Sequence, residues 1–332
     1  MSEPSATPTH ARGITLDTYR YLRGGMVITI VMLAAAVFGE RWTATCWEAS
    51  ISAYYFTTAH GIFIAALCAL GAQLIVYKGS SDTEDVLLNL AGVLAFIVAM
   101  VPTARSIKPC GMHDLPKYGL QHGITNNVRA VIIALVAAQI VLWLLHRRAG
   151  TKASKSVLGT VSLWITWAVI ALFVLALVFF RARFDSNAHG AAAAIMFLAI
   201  IVTVCATAFI VKHQDTTKSP HWRGYYRAYQ TIAVGMILTL AVVVVLHFAV
   251  SNWSHWVIVV ETLLIGEFAA YWVIQTIELW RTPDRIQLLR EADQPKLEQR
   301  RSTRGPINLL RELREVRSEG KAPREERLLR AL

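Results

Sequence analysis

Residues 157–180 read VLGTVSLWITWAVIALFVLALVFF, an uninterrupted apolar run without one charged side chain. At about 1.5 Å of rise per residue, a helix of this length crosses the roughly 30 Å hydrocarbon core of a bilayer. Inside hydrocarbon each backbone N–H and C=O must find its partner within the segment, so the run is expected to be a helix. Runs of the same character recur on both sides of it, at 129–146 and 189–211, and then at 24–39, 59–77, 86–103, 229–250 and 256–279. The expected fold is therefore all-α, a polytopic membrane protein with about eight spans. Residues 1–23 form an N-terminal segment, 24–280 the transmembrane domain and 281–332 a basic tail.

Composition agrees with this reading. The 332 residues are 55% hydrophobic and only 17% charged, where a soluble domain carries about 25% charge. Ala34-Ala35-Ala36 in the first run resembles a signal-peptide cleavage site. The region ahead of that apolar core is longer than signal peptides carry, so the run is expected to remain as a span. Residues 1–12 are rich in Pro, Ser and Thr and are read as lacking structure. Trp42, Trp47, Tyr54, Tyr55, Tyr77, Trp143, Trp253 and Trp256 fall at the expected span edges, as interfacial belts do.

The net charge of +11 does not point to nucleic acid, because of where it lies. Residues 281–332 hold fourteen Lys and Arg against nine Asp and Glu, and most of the remaining excess flanks apolar runs. There it sets orientation and meets anionic headgroups. With both termini cytoplasmic, twelve basic residues of the N-terminal segment and short loops lie inside and seven outside, before the tail is counted. The expected location is the inner (plasma) membrane, N-terminus and C-terminus in. In the tail, Leu309, Leu310, Leu313 and Val316 make one apolar stripe flanked by Arg311, Arg314 and Arg317, an amphipathic helix for the inner leaflet or for another subunit.

That topology puts the aromatic, hydroxyl-rich loop WTATCWEASISAYYFTTAHG, residues 42–61, on the outer face. Cys46 and Cys110 then share an oxidising side and can pair, while Cys68 and Cys205 fall inside apolar runs. On the inner side, KGSSDTED (78–85) is a tight turn. Ser81 with Glu84 three residues on is a capping box, and Asp82, Glu84 and Asp85 suit the positive end of a helix dipole; an ion site is the rival reading.

The polar residues inside or beside spans are the candidate site. His60, Asp185, His189, His247, His255 and Glu261 are expected at one outer level, with His113 and His122 in the facing loop. Such a layer suits zinc or acid–base chemistry, or simple interfacial hydrogen bonding. Glu267 lies near mid-membrane with no Lys or Arg at its depth. It is expected to be hydrogen-bonded to a group such as Gln73, Gln139 or Thr239, or to serve as a proton or cation site. Ala59-His60-Gly61 recurs as Ala188-His189-Gly190 four spans later, each after a Phe-led polar step. That echo suggests a parallel 4+4 repeat in which Gly61 and Gly190 allow close helix approach. No cofactor motif is present.

Three families bear comparison. GITLDTYRYLR before the first span is similar to the opening of acyltransferase-3-type membrane enzymes, but the histidine they need near the end of that span is missing. Alkaline ceramidase-type hydrolases use three His and an Asp on zinc; His247 and His255, and Ser186 and His189, have other spacings here. The run SISAYYFTTAHGIFIAAL, with EDVLLNLAG and the closing VPT, resembles the Frag1/DRAM/Sfk1-type proteins over residues 50–103, with His189-Gly190-Ala191-Ala192 as a second patch. That resemblance implies lipid-linked membrane homeostasis, with membrane lipids as partners; the tail stripe separately leaves open a contact with a second copy or another protein. A metal-dependent hydrolase and a proton-coupled transporter using Glu267 are the rival readings.

Overall fold

The computed structural model describes residues 8–103, 110, 120–149, 157–249, 255–294 and 328. Among these the chain is helical: α1 (Pro8–Ala44), η1 (the 3₁₀ turn Ile51–Phe56), α2 (His60–Val76), α3 (Asp82–Met100), α4 (Leu120–Ala149), α5 (Val157–Phe179), α6 (Arg181–Val211), α7 (Trp222–Ala249), α8 (Trp256–Glu278) and η2 (the 3₁₀ turn Arg285–Leu288). Each apolar run of the sequence is one of the eight α-helices. Five of them, in α1, α3, α5, α6 and α8, are long and apolar enough to cross a membrane. The start of α1 corrects one expectation: Pro8 to Arg12, read as unstructured, belong to the helix. A proline is tolerated there because the first turn has no use for its missing N–H.

The helices bury one stripe and show an apolar back. Met26, Ile30, Leu33 and Val37 of α1 recur at spacings of three and four and are buried, while Ile28, Val31 and Phe38 face outward. On α5 the exposure is more general: Trp164, Leu172 and Phe179 are each more than 60% exposed. Apolar surface on this scale is unfavourable in water and is what a lipid-facing helix presents.

The middle of the bundle is α3, which packs against α2, α4, α5 and α6. Its inner positions Ala91, Ala95 and Ala99 are small and almost wholly buried. Where α2 crosses it, two glycines meet backbone to backbone. A Cβ on Gly71 would lie 2.8 Å from the carbonyl oxygen of Gly92, and one on Gly92 would lie 2.6 Å from that of Gly71. Glycine is required at both, since no side-chain movement relieves a clash with backbone. Gly61 and Gly190, expected to play this part, have open space where a Cβ would be.

Both ends of the described chain reach the same end of the bundle. Arg20 donates from Nε and Nη2 to the Trp280 carbonyl oxygen at 2.8 and 2.6 Å, and Arg23 donates to those of Leu279 at 3.1 Å and Pro283 at 3.0 Å. The N-terminal part of α1 and the C-terminal end of α8 thus share one end. Residues 281–294, the first part of the basic tail, belong to the folded body: Arg285, Ile286 and Leu289 are buried, and Leu289 bridges to Gln214. The stripe of Leu309, Leu310, Leu313 and Val316 lies outside the described residues.

Candidate functional site

At the end of the bundle away from the termini, the loop between α1 and α2 folds into a roof. Ser50 caps η1 by accepting the Ala53 N–H at 3.0 Å, and every residue of η1 is buried. Three ties hold this roof to the start of α8. Ile258 N–H donates to the Ala49 carbonyl at 3.1 Å, His255 Nε2 pairs with the Trp47 carbonyl at 3.2 Å, and Glu261 reaches η1 itself. The Glu261 carboxylate accepts the Ile51 N–H at 2.5 Å on one oxygen and the Ser52 hydroxyl at 2.9 Å on the other. Two further ties come from elsewhere: Thr58 donates to Glu40, and Cys46 is disulfide-bonded to Cys110, as expected from topology. Beside that bond, the Cys110 N–H donates to Glu48 at 3.1 Å.

Beneath the roof lies a cavity bounded by α1, α2, α3, α6 and α8. Its walls are aliphatic and phenylalanyl, Leu67, Ala95, Ala193 and Phe197 among them, and its only polar side chains are Ser52 and Glu261 under η1. Burial raises the hydroxyl pKa values of Tyr54 and Tyr55 above the ordinary phenol value, so both stay protonated. The Ser/Tyr run offers no ready nucleophile among its tyrosines, and Ile51 and Ser52 line the cavity. A second cavity lies between α3, α4, α5 and α6, and among the described residues its lining has no polar side chain.

The residues expected to form one outer layer have separate attachments. His60 Nδ1 meets the Tyr55 carbonyl at 2.5 Å and its ring packs edge-on to that tyrosine, tying α2 to the roof. His189 is buried with Nδ1 on the Val101 carbonyl at 2.6 Å, and its Nε2 has no hydrogen-bond partner among the described residues. Asp185 takes both oxygens to Arg181 Nε one turn earlier, at 2.9 and 3.0 Å. His255 is on the Trp47 carbonyl. The side chains of His247, His113 and His122 lie outside the described residues. Among the described residues no three His, Cys, Asp or Glu converge to hold a metal ion. Deeper in, Glu267 sits against Gly235 and receives a long hydrogen bond of 3.4 Å from Thr239, one of its three expected partners; its Oε2 is buried with no partner among the described residues.

The most heavily bonded polar group is at the opposite end, where the chain termini meet. Arg285 in η2 donates from Nε and Nη2 to the two oxygens of Glu278, each at 3.0 Å, and from Nη1 to Ser80 Oγ at 3.2 Å. Glu84 lies 3.7 Å from the same guanidinium. Glu278 also accepts the Gln214 amide at 2.5 Å and the Tyr229 hydroxyl at 2.6 Å. Glu84 is the residue of the expected capping box, and Ser81 does cap α3 through the Glu84 N–H at 3.2 Å. Its carboxylate does more: it accepts the Ser80 N–H at 2.7 Å and the Thr207 hydroxyl at 2.7 Å. Burial works to lower the Arg285 pKa, but the carboxylates of Glu278 and Glu84 and the Tyr229 ring together hold it well above the usual arginine value. Arg23, also buried, is held beside it on neutral oxygens, the Tyr77 hydroxyl at 3.3 Å and the carbonyls of Leu279 and Pro283. Sequence reasoning did not find this cluster. Its one visible signal was an ionisable residue, Glu278, in the last turn of the last apolar run.

No family model, curated protein or solved structure matches the chain.

Proposed function

We propose that the protein is a lipid-interacting protein of the inner membrane with a role in membrane homeostasis, and that the cavity under the roof takes one apolar chain of a lipid. The observation that carries this reading is the composition of that cavity. It is apolar along its length and has hydrogen-bonding groups, Ser52 and Glu261, only at the roofed end. An acyl or prenyl chain fills such a space at no desolvation cost, and a hydroxyl or amine at its end finds lone pairs on Glu261 beyond the two already used. The resemblance of residues 50–103 to Frag1/DRAM/Sfk1-type proteins points the same way.

In this reading all eight α-helices cross the bilayer. An even number of crossings agrees with Arg20 and Arg23 bonding to the end of α8. The disulfide belongs on the oxidising side and the Lys/Arg excess inside, so the roof is outside and both termini are cytoplasmic. The Ala-His-Gly echo makes α2 and α6 counterparts in a 4+4 repeat, although the glycines that touch are Gly71 and Gly92.

Native mass spectrometry of the protein in mild detergent tests the proposal. The wild type retains one lipid, and Ala193→Phe, which fills the cavity, loses it at an unchanged melting temperature. If that variant is unstable, Ser52→Ala with Glu261→Gln removes the polar end and weakens retention. A wild type that carries no lipid, or variants that keep it, would overturn the reading. A proton-coupled transporter has one observation in its favour, the buried and unpaired Oε2 of Glu267. Flux abolished by Glu267→Gln would support it.

A further inference from the structure

A second cleft opens at the end of the bundle where the termini meet, between the α6–α7 loop and the segment after α8. Lys218, Ser219, His221 and Tyr225 form one wall, and Arg281, Thr282 and Gln287 the other. Both walls are held in place by backbone. The Asp215 N–H donates to the Leu288 carbonyl at 2.8 Å, Ser219 N–H to Asp215 O at 2.8 Å, and Arg290 N–H to His213 O at 3.4 Å. The polar groups of this cleft are therefore presented by a built turn rather than by loose chain.

The charge of the lining is one-sided. Lys218, whose Nζ donates to the Leu289 carbonyl at 3.3 Å, and Arg281 are cations, and His221 adds ring nitrogens; the one carboxylate among the described lining residues, Glu278 at the floor, already has its charge matched by Arg285 and its oxygens bonded to Arg285, Gln214 and Tyr229. The nearby Asp215 accepts the Thr217 N–H and hydroxyl at 2.8 and 2.7 Å; those bonds, and after them the charges of Lys218 and Arg290, hold its pKa below the usual carboxylate value. The His221 ring and the Arg281 guanidinium make no hydrogen bond or ion pair among the described residues. The cleft also lies at the start of α7, and the positive end of that helix dipole adds to the basic side chains. Trp280 beside it is half exposed and carries Arg20 over its ring at 4.7 Å, the arrangement of an interfacial anchor.

From these observations we infer that the cleft binds a phosphate group. Basic clefts between helices at the cytoplasmic surface suit lipid phosphates, and the same donors suit a free phosphate. The site is at the other end of the bundle from the roofed cavity, and the inference does not depend on what fills that cavity.

The test uses the full chain in a neutral detergent. Inorganic phosphate is titrated by calorimetry, and phosphatidylglycerol and diacylglycerol are compared by native mass spectrometry. Saturable binding of inorganic phosphate that displaces the phospholipid identifies a soluble phosphate site, and binding of phosphatidylglycerol alone identifies a headgroup site. In either case the double variant Arg281→Gln, His221→Gln binds at least tenfold more weakly, with unchanged melting because neither group holds the fold. Lys218→Gln, made separately, weakens binding in the same direction. Binding that is equal in wild type and variants, diacylglycerol retention that falls in the double variant as far as that of phosphatidylglycerol, or no saturable binding of either phosphate would overturn the inference.

Discussion

Replacing Arg285 by Met leaves the buried carboxylates of Glu84 and Glu278 facing each other without the guanidinium that separates them. Arg285 and both of its acidic partners have side chains no more than 1% exposed, so water does not replace the lost contacts. Breaking such a pair from one side costs about 3–5 kcal/mol. An independent bound comes from protonation. A carboxylate that cannot stay charged must take up a proton, which for an ordinary glutamate costs about 1.36 kcal/mol per pH unit above about 4.3, or about 3.7 kcal/mol at pH 7. The two figures agree, and the second adds a sign. The folded variant takes up a proton that its unfolded chain does not, so its deficit relative to wild type grows as pH rises and shrinks toward pH 5. At about 2 °C per kcal/mol for a chain of this size, melting in detergent falls by about 6–10 °C at pH 7. Adding Glu278→Gln removes the unmatched charge and recovers most of the loss. An Arg285→Met protein that melts within 2 °C of wild type at pH 7, or whose deficit is the same at pH 5 as at pH 7, would refute the argument.

Two further outcomes follow from the packing. Cys46→Ser opens a covalent loop with a sequence separation of 64 residues. Closing such a loop is worth at most about 4 kcal/mol, and less where the unfolded chain stays helical in detergent. Wild type treated with reductant should melt with the variant, and an unshifted transition in both would show that the bond carries no stability. Gly92→Ala places a Cβ 2.6 Å from the Gly71 carbonyl oxygen and should destabilise by about 1–3 kcal/mol. Gly61→Ala, with open space around the new atom, should be neutral or slightly stabilising in the same melt.

What the sequence disclosed and what it withheld divide along a physical line. Helices set by apolar runs were legible, because a run such as 157–180 has one stable form in hydrocarbon whatever its neighbours do. The Cys46–Cys110 pair was legible for a related reason: the parity of the spans put both on one side. Close approach was not legible. Gly61 and Gly190 stood out by an echoed tripeptide, whereas Gly71 and Gly92 became a crossing only once the rotation of α2 against α3 was fixed. The partners of the candidate histidines were not legible either. His60, His189 and His255 do lie near helix ends, but depth along a helix says nothing of azimuth, and each ring is on a different backbone carbonyl. Arg285 escaped because it follows the last apolar run by several residues, in a stretch whose composition resembles a solvated tail.

The two ends of the bundle are fastened by different means, and their chemistry accounts for the difference. At the roofed end the segment that must be held is six residues of 3₁₀ turn, too short to be stable alone. A disulfide and a carboxylate on the Ile51 N–H supply what its own backbone lacks. On the proposed topology, a disulfide would not survive reduction at the cytoplasmic end. There the segment after α8 is held by Arg285 on Glu278 and Glu84, and by Arg23 on the carbonyls of Leu279 and Pro283, under a cover of tyrosines. A cluster of this kind is indifferent to reductant but intolerant of a missing partner. The consequence is a separable pair of sensitivities. Reductant should loosen the roof and the cavity beneath it while leaving the base intact, and Arg285→Met should release residues 279–294 to protease while Cys46 and Cys110 stay joined. Limited proteolysis read by mass spectrometry distinguishes the two. A single cleavage pattern common to both treatments would mean that the ends are not held independently.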